Sequence, residues 1–251
     1  METALPLQQA QIESYRRTGH LTVPDVFTAD EINAVLADLE EWSASVLAGL
    51  SDDERRWYLE DASADRPMLR KLDHAVFERS AFRTLAASPA LTELVEQLIG
   101  SRLRVAFSQV FMKPPEGGGP KPAHQDNFYF GPDRKDGMVT AWVALDDATE
   151  ENGCLLFGDG SNKGPILPHV APDGRPFDLQ IADDVLAGLT MSPAPVPAGG
   201  VSFHHGNTLH GSAANRSTRP RRACAIHYMS GDTVFASPAL TYDETRIVAI
   251  S

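Results

Sequence analysis

Near residue 100 the hydrophobic period of this chain switches from helical to strand-like, and that switch restricts its fold more than any other feature. Upstream, Ile32, Val35, Leu36, Leu39 and Trp42 recur at helical spacing, which makes one apolar stripe. Thr28-Ala29-Asp30-Glu31 opens that helix as a capping box, the Thr side chain taking an orphan amide while Glu31 reaches back. Ser88-Pro89 opens another, with Leu91, Leu94, Val95, Leu98 and Ile99 as its stripe and Gly100 as its stop. Residues 6–17 read as a short helix ending at Thr18-Gly19, followed by a strand-like His20 to Pro24. Downstream, Leu103, Val105 and Phe107 alternate, Val139 to Leu145 is an apolar run of central-strand length, and Val201, Phe203 and His205 alternate again. Further strands are expected at Gln109 to Met112, Cys154 to Phe157 and Arg222 to Met229. Helices first and strands afterwards, with no linker or repeat between, predict one α+β domain over 1–251, mainly helical over 1–100 with a β core over 101–251. A barrel or jelly roll with helices packed outside is the economical arrangement.

Composition excludes several functions. A formal net charge of −12 argues against nucleic acid and anionic membrane as partners, because both need basic patches; it leans towards an amine-bearing small molecule. No apolar run approaches the roughly 18 residues of a membrane span, and Met1 to Ile12 lacks the basic-then-apolar order of a signal peptide. Cys154 and Cys224 are the two cysteines, too few and too far apart for a disulfide scaffold, which predicts a reduced, cytoplasmic protein. The acidic Ser51 to Asp65 reads as a solvated connection or a substrate lid. Residues 158–198, rich in Pro, Gly and Asp, read as an excursion with little regular structure.

His124-Gln125-Asp126 carries the chemistry. On a strand, residues i and i+2 point the same way, so His124 and Asp126 reach one metal while Gln125 faces elsewhere. Two imidazoles and one carboxylate bind Fe(II) on one face and leave the other open. The third ligand must come from a later strand, where His204, His205 and His210 lie close together. Farther on, Arg216, Arg219, Arg221 and Arg222 form a basic cluster; alternation sends Arg221 and Arg222 to opposite faces, so only one of the two looks into a barrel.

These pieces, taken in order, resemble the phytanoyl-CoA dioxygenase family. The resemblance rests on Lys113-Pro114-Pro115, on His124 through Phe130, on Ala141-Trp142-Val143-Ala144-Leu145, on Glu151-Asn152-Gly153-Cys154-Leu155, and on His210-Gly211-Ser212 with Asn215 and Arg221. It covers most of the chain, including the entry Gly19-His20-Leu21-Thr22-Val23-Pro24. It implies a double-stranded β-helix, a cupin-like jelly roll, and an Fe(II)- and 2-oxoglutarate-dependent dioxygenase that also consumes O2. His124, Asp126 and His210 are the implied iron ligands. Arg221 is the implied clamp for the distal carboxylate of oxoglutarate, since Arg pairs bidentately where Lys cannot. Trp142, Gln109, Lys71 and Ser212 are implied lining of the cosubstrate pocket, although Trp142 also reads as ordinary core. Asn127, Phe128, Tyr129 and His205 are candidates for the substrate side, or simple filling of the barrel mouth.

One departure stands out. Gly158-Asp159-Gly160-Ser161-Asn162 occupies the loop where the family commonly has a Pro-Gly-Ser-His run, so a family histidine is missing near the substrate side. Asp126 itself speaks against halogenation, because related halogenases replace this carboxylate to admit chloride. Hydroxylation of a small metabolite, as in natural-product tailoring, is the leading expectation. Cyclisation, desaturation or epimerisation with the same cofactors is the alternative. A non-redox cupin-like metal enzyme and an inactive binding relative are the rivals from other classes.

Overall fold

The computed structural model describes residues 6–61, 67–171 and 179–250. Parts of the Met1 to Ile12, Ser51 to Asp65 and 158–198 segments lie outside the described residues. Helix α1 (Gln9–Thr18) leads through Gly19 into strand β1 (His20–Val23). Gly19 has φ 88°, and a Cβ there would lie 2.3 Å from the Thr208 hydroxyl, so glycine is required twice over. Helix α2 (Ala29–Gly49) starts at the expected capping box, with Thr28 accepting from the Glu31 amide. It turns Ile32, Val35 and Leu39 into the core.

The connection after α2 is not the open loop expected. Ser51 and Glu54 form a second capping box, and α3 (Asp52–Tyr58) follows; the same Ser-x-x-Glu signal that marks α2 was present in the sequence. A bridge between Leu59 and Leu69 then returns the chain to the body. Strand β2 (Lys71–Asp73), helices α4 (Ala75–Glu78) and α5 (Ser80–Ala86), and α6 (Pro89–Ile99) complete the helical half. Leu91, Leu94 and Val95 of α6 are fully buried, each contributing about 1.5–3 kcal/mol of transfer free energy.

Strands β3 (Arg104–Lys113) and β4 (Lys121–His124) come next, then the short helix α7 (Asp126–Phe130), β5 (Met138–Ala144) and β6 (Leu155–Phe157). Among the described residues, the 158–198 excursion is irregular apart from a 3-10 turn at Ser161–Lys163, the small ladder of β7 (His169–Val170) with β8 (Gln180–Ile181), one turn of α8 (Asp183–Leu186), and β9 (Ser192–Ala194). Strands β10 (Val201–His205), β11 (His210–Ser212), β12 (Arg221–Met229) and β13 (Val248–Ala249) finish the chain.

Two antiparallel sheets result, facing each other as a jelly roll. The large one has seven strands in the order β1-β10-β5-β12-β3-β13, with β2 also paired to β3. The small one has four, β4-β11-β6-β9. Strand alternation divides the large sheet. Val139, Ala141, Val143, Phe203, Cys224, Ile226 and Tyr228 join the helical residues in one apolar cluster, while Thr140, Trp142, Ala225 and His227 face the small sheet and line a cavity. Helices cover one face of the large sheet so that the other can hold chemistry.

Candidate metal and oxoglutarate site

His124 closes β4 and is the direct cross-strand partner of His210 on β11. Opposed side chains on one face of an antiparallel pair rise side by side, and the two imidazole centroids are 4.2 Å apart. Asp126 does not share the strand of His124, as its sequence position suggested. The strand ends at His124, Gln125 is an extended cap, and Asp126 is the first residue of α7. The Asn127 amide donates to the Gly206 carbonyl (2.8 Å), and this anchors a strand-to-helix corner that swings the carboxylate back over both rings.

The three ligand atoms lie within 4.8 Å of one another. His124 Nδ1 donates to the Pro122 carbonyl (2.8 Å) and His210 Nδ1 to the Thr208 carbonyl (2.9 Å). Carbonyls only accept, so both Nε2 atoms keep free lone pairs. Those atoms stand 3.8 and 3.7 Å from Asp126 Oδ1. Burial pushes both imidazoles down and keeps them neutral, the ligand form. Burial alone would raise the Asp126 carboxyl, but the imidazoles of His210, His227 and His204 around it hold it well below the usual carboxylate range. The donor set is therefore chemically fit for a ferrous ion.

His204 and His205 are excluded from this cluster by their own bonds. His204 Nε2 must donate to Asp126 Oδ2 (3.1 Å), and His205 Nε2 bonds Asp136 (2.9 Å) while its Nδ1 accepts from the Asn207 amide. His205 lies outside the cavity lining, because strand alternation turns it to the opposite face from His204. The Asn127 side-chain amide nitrogen donates to the Lys135 carbonyl and to Asn207 Oδ1, and Phe128 stacks on His169 at 3.9 Å. Of the four substrate-side candidates only Tyr129 lines the cavity. Gln125 points away from the metal cluster, bonded to Pro165, Asn207 and Leu167.

Arg221 begins β12 and is 2% exposed. Among the described residues its Nε and Nη1 find no hydrogen-bond partner, and burial depresses it to about 10. Its guanidinium lies 5.3 Å from the Trp142 ring and lines the same cavity as Ser212, Gln109 and Lys71. A buried cation with open donors fits an arriving carboxylate. Arg222 faces the other way and is saturated by Asp146, at 2.8 Å on both contacts. Lys71 and Gln109 converge on Asp73, at 3.3 and 2.7 Å. Trp57 of α3 donates to the same carboxylate (2.6 Å), with the Lys71 ammonium 3.4 Å from the centre of its ring. Burial lowers Lys71 to about 8, with Asp73 opposing the shift.

The cavity encloses about 940 Å³, its mouth included. Beyond the metal cluster its wall is aromatic: Trp57, Phe107, Tyr129, Phe130 and Tyr242. Among the described residues, Lys71, Lys121 and Arg221 line it with Asp126 as the one carboxylate. Among the described lining residues, the acidic balance of the whole chain is thus not repeated. Sequence reasoning missed Trp57, Thr140, His227, Leu240 and Tyr242, and named His204 only as a rival to His210 for the third ligand. Alternation from Arg221 would have reached His227, and from Trp142 it would have reached Thr140. Leu240 and Tyr242 come from an irregular segment with no periodic signal.

A jelly roll with a two-histidine, one-carboxylate cluster beside a buried, unpaired arginine defines a non-haem iron oxygenase that uses 2-oxoglutarate. The chain matches the phytanoyl-CoA dioxygenase (PhyH) family over residues 15–223, and it belongs to that family. It is 28% identical over 226 residues to a probable alpha-ketoglutarate-dependent hypophosphite dioxygenase of Stutzerimonas stutzeri, covering 88% of this chain and 78% of that one. Among solved structures it is similar to SnoK, a non-heme alpha ketoglutarate dependent carbocyclase from nogalamycin biosynthesis (TM-score 0.76, 24% identity, 98% and 97% of the two chains). It is also similar to the epimerase SnoN in complex with Fe3+, alpha ketoglutarate and nogalamycin RO (TM-score 0.71, 27% identity, 97% and 94%). Among the described residues, no helix is long and apolar enough to cross a membrane.

Proposed function

We propose that this protein hydroxylates a C–H bond of a small metabolite in natural-product tailoring, with His124, Asp126 and His210 holding iron and Arg221 holding the far carboxylate of oxoglutarate. Bound together, iron and oxoglutarate supply dioxygen activation coupled to release of succinate and carbon dioxide. The chain's own residues do the rest. Ser212, Trp142, Gln109 and Lys71 border the cosubstrate, the aromatic wall excludes water, and Tyr129 and Tyr242 offer the substrate flat, partly polar surfaces. The observation that carries the reading is the buried Arg221 guanidinium, with two open donors, in the cavity that also holds the three ligands.

The apolar cluster shared by helices and large sheet supports one catalytic domain over 1–251. Two buried free cysteines support a reducing, cytoplasmic setting. A second reading, epimerisation with the same cofactors, is favoured by the likeness to SnoN; the same iron site serves both outcomes.

The test is an anaerobic optical titration with Fe(II), then 2-oxoglutarate, on wild type, Asp126→Ala and Arg221→Ala. A visible charge-transfer band that requires Asp126, and far more oxoglutarate without Arg221, is expected. Metal binding with no band at any oxoglutarate concentration would sink the proposal. Product analysis of substrates that stimulate succinate formation then separates hydroxylation from epimerisation.

A further inference from the structure

Three adjacent strands of the large sheet place one residue each around the far oxygen of Asp126. Thr140 on β5 is the cross-strand partner of His204 on β10 and of His227 on β12, so the three side chains stand in a row on the cavity face. The Thr140 hydroxyl contacts Asp126 Oδ2 at 2.5 Å and His227 Nδ1 at 2.8 Å. His204 Nε2 reaches the same carboxylate oxygen at 3.1 Å. Oδ2 is thereby occupied, and Oδ1 is left for the metal.

The proton inventory of this row has one solution. A hydroxyl has a single hydrogen, and the ionised carboxylate can only accept. Thr140 therefore donates to Asp126 and must accept from His227, which puts a hydrogen on His227 Nδ1. A neutral ring so protonated keeps Nε2 as a bare lone pair. His227 lines the cavity, and no group among the described residues bonds its Nε2. Phe130 and Phe107 flank the ring, with centroids at 4.8 and 6.1 Å, and Tyr242 packs on Phe130 at 5.2 Å. The acceptor is thus set in an apolar wall beside the carboxylate of the metal cluster.

We infer that Thr140 locks the tautomer of His227 and so presents its Nε2 as a hydrogen-bond acceptor to the substrate, selecting a small molecule that carries an O–H or N–H donor beside the carbon that reacts. This rests on the oxygenase reading for the word substrate, and on this chain's own hydrogen bonds for the tautomer. An acceptor in an apolar wall discriminates strongly, because an analogue without the donor leaves it desolvated and unpaired. His227 is a specificity residue here, and Thr140 a positioning residue.

Long-range nitrogen–proton NMR of the imidazoles tests the lock directly, on protein loaded with Zn(II) in place of iron and with 2-oxoglutarate. His227→Gln assigns the signal. The expected result is a hydrogen on His227 Nδ1 in wild type, a mixture of tautomers in Thr140→Val, and restoration in Thr140→Ser. A hydrogen on Nε2 in wild type, or an unchanged tautomer in Thr140→Val, would overturn the inference. For recognition, phenol and toluene serve as probes of matched shape. Wild type should prefer phenol by about five- to tenfold, the worth of one neutral hydrogen bond, and His227→Leu should lose that preference; equal preference in both proteins removes the acceptor role. If oxoglutarate fails to bind, the oxygenase reading falls, yet the tautomer is still read in the metal-only protein.

Discussion

Replacing Arg221 with methionine should help the empty protein and disable the loaded one. The guanidinium is 2% exposed, and two of its nitrogens have no partner, so the ligand-free fold carries a buried charge with incomplete compensation. Removing such a charge with a side chain of similar reach is neutral or stabilising. Two charge-assisted hydrogen bonds to a carboxylate, at about 1.5–3 kcal/mol each, amount to roughly 3–6 kcal/mol of oxoglutarate affinity, or about 10²–10⁴-fold. The assay is thermal unfolding under saturating Mn(II), with and without oxoglutarate. A ligand at about 100 times its Kd stabilises by about 2.7 kcal/mol, which is roughly 5–10 °C for a chain of this size. Wild type should show that shift. Arg221→Met should start at the same Tm or higher and show almost none of it. A variant that melts several degrees lower without ligand, yet keeps the oxoglutarate shift, would mean that Arg221 is a structural ion and that the clamp lies elsewhere.

Other outcomes follow from the same geometry. His210→Ala should abolish Fe(II) binding in anaerobic titration, whereas His204→Ala, which removes only a partner of Asp126, should weaken it by about 10–100-fold. Gly131 has φ 51°, and a Cβ there would sit 2.1 Å from the Ser237 carbonyl oxygen. Gly131→Ala should therefore cost about 1–3 kcal/mol and speed proteolysis of the C-terminal segment, read by limited digestion. Lys113 is lowered to about 7 by burial and by Arg221, below the usual 10.5. Between those values the unfolded chain binds more protons at this residue, so its contribution to stability rises with pH. Wild type should gain on Lys113→Met in chemical denaturation as pH climbs from about 7 towards 10.

Much of this architecture was legible because its residues repeat. The stripes of α2 and α6 and the alternation of β5, β10 and β12 each follow from a period, and Arg221 was separable from Arg222 by parity alone. The pairing of His124 with His210 was not periodic. It needed the ordered motifs around both residues, because nothing local says which of three histidines lies opposite a strand some eighty residues away. Asp126 was misplaced on a strand because two-residue spacing suits an extended chain, and the corner is made instead by a bond from Asn127 to the distant Gly206. Helix α3 was legible and overlooked: its acidic composition resembled a solvated loop, while Ser51 and Glu54 carried the capping signal. The aromatic wall lent by Leu240 and Tyr242 had no sequence signal, since an irregular segment acquires its place only from the surface it lands on.

Asp126 also sits where the two sheets would come apart. His124 and His210 belong to the small sheet, whereas Thr140 and His204, which grip the far oxygen of Asp126, belong to the large one, as does His227 behind Thr140. An ion on this cluster is therefore a rivet through the sandwich as well as a reagent. With the ion in place, the sheets cannot part without breaking either a ligand bond or the hydrogen bonds of Thr140 and His204 to Asp126, so amide exchange in β4 and β11 should slow together with exchange in the middle of β5. Chelation would then leave the two sheets joined at this point by hydrogen bonds and packing alone, and a ferrous protein and its apo form would differ in mechanical stiffness before either meets a substrate.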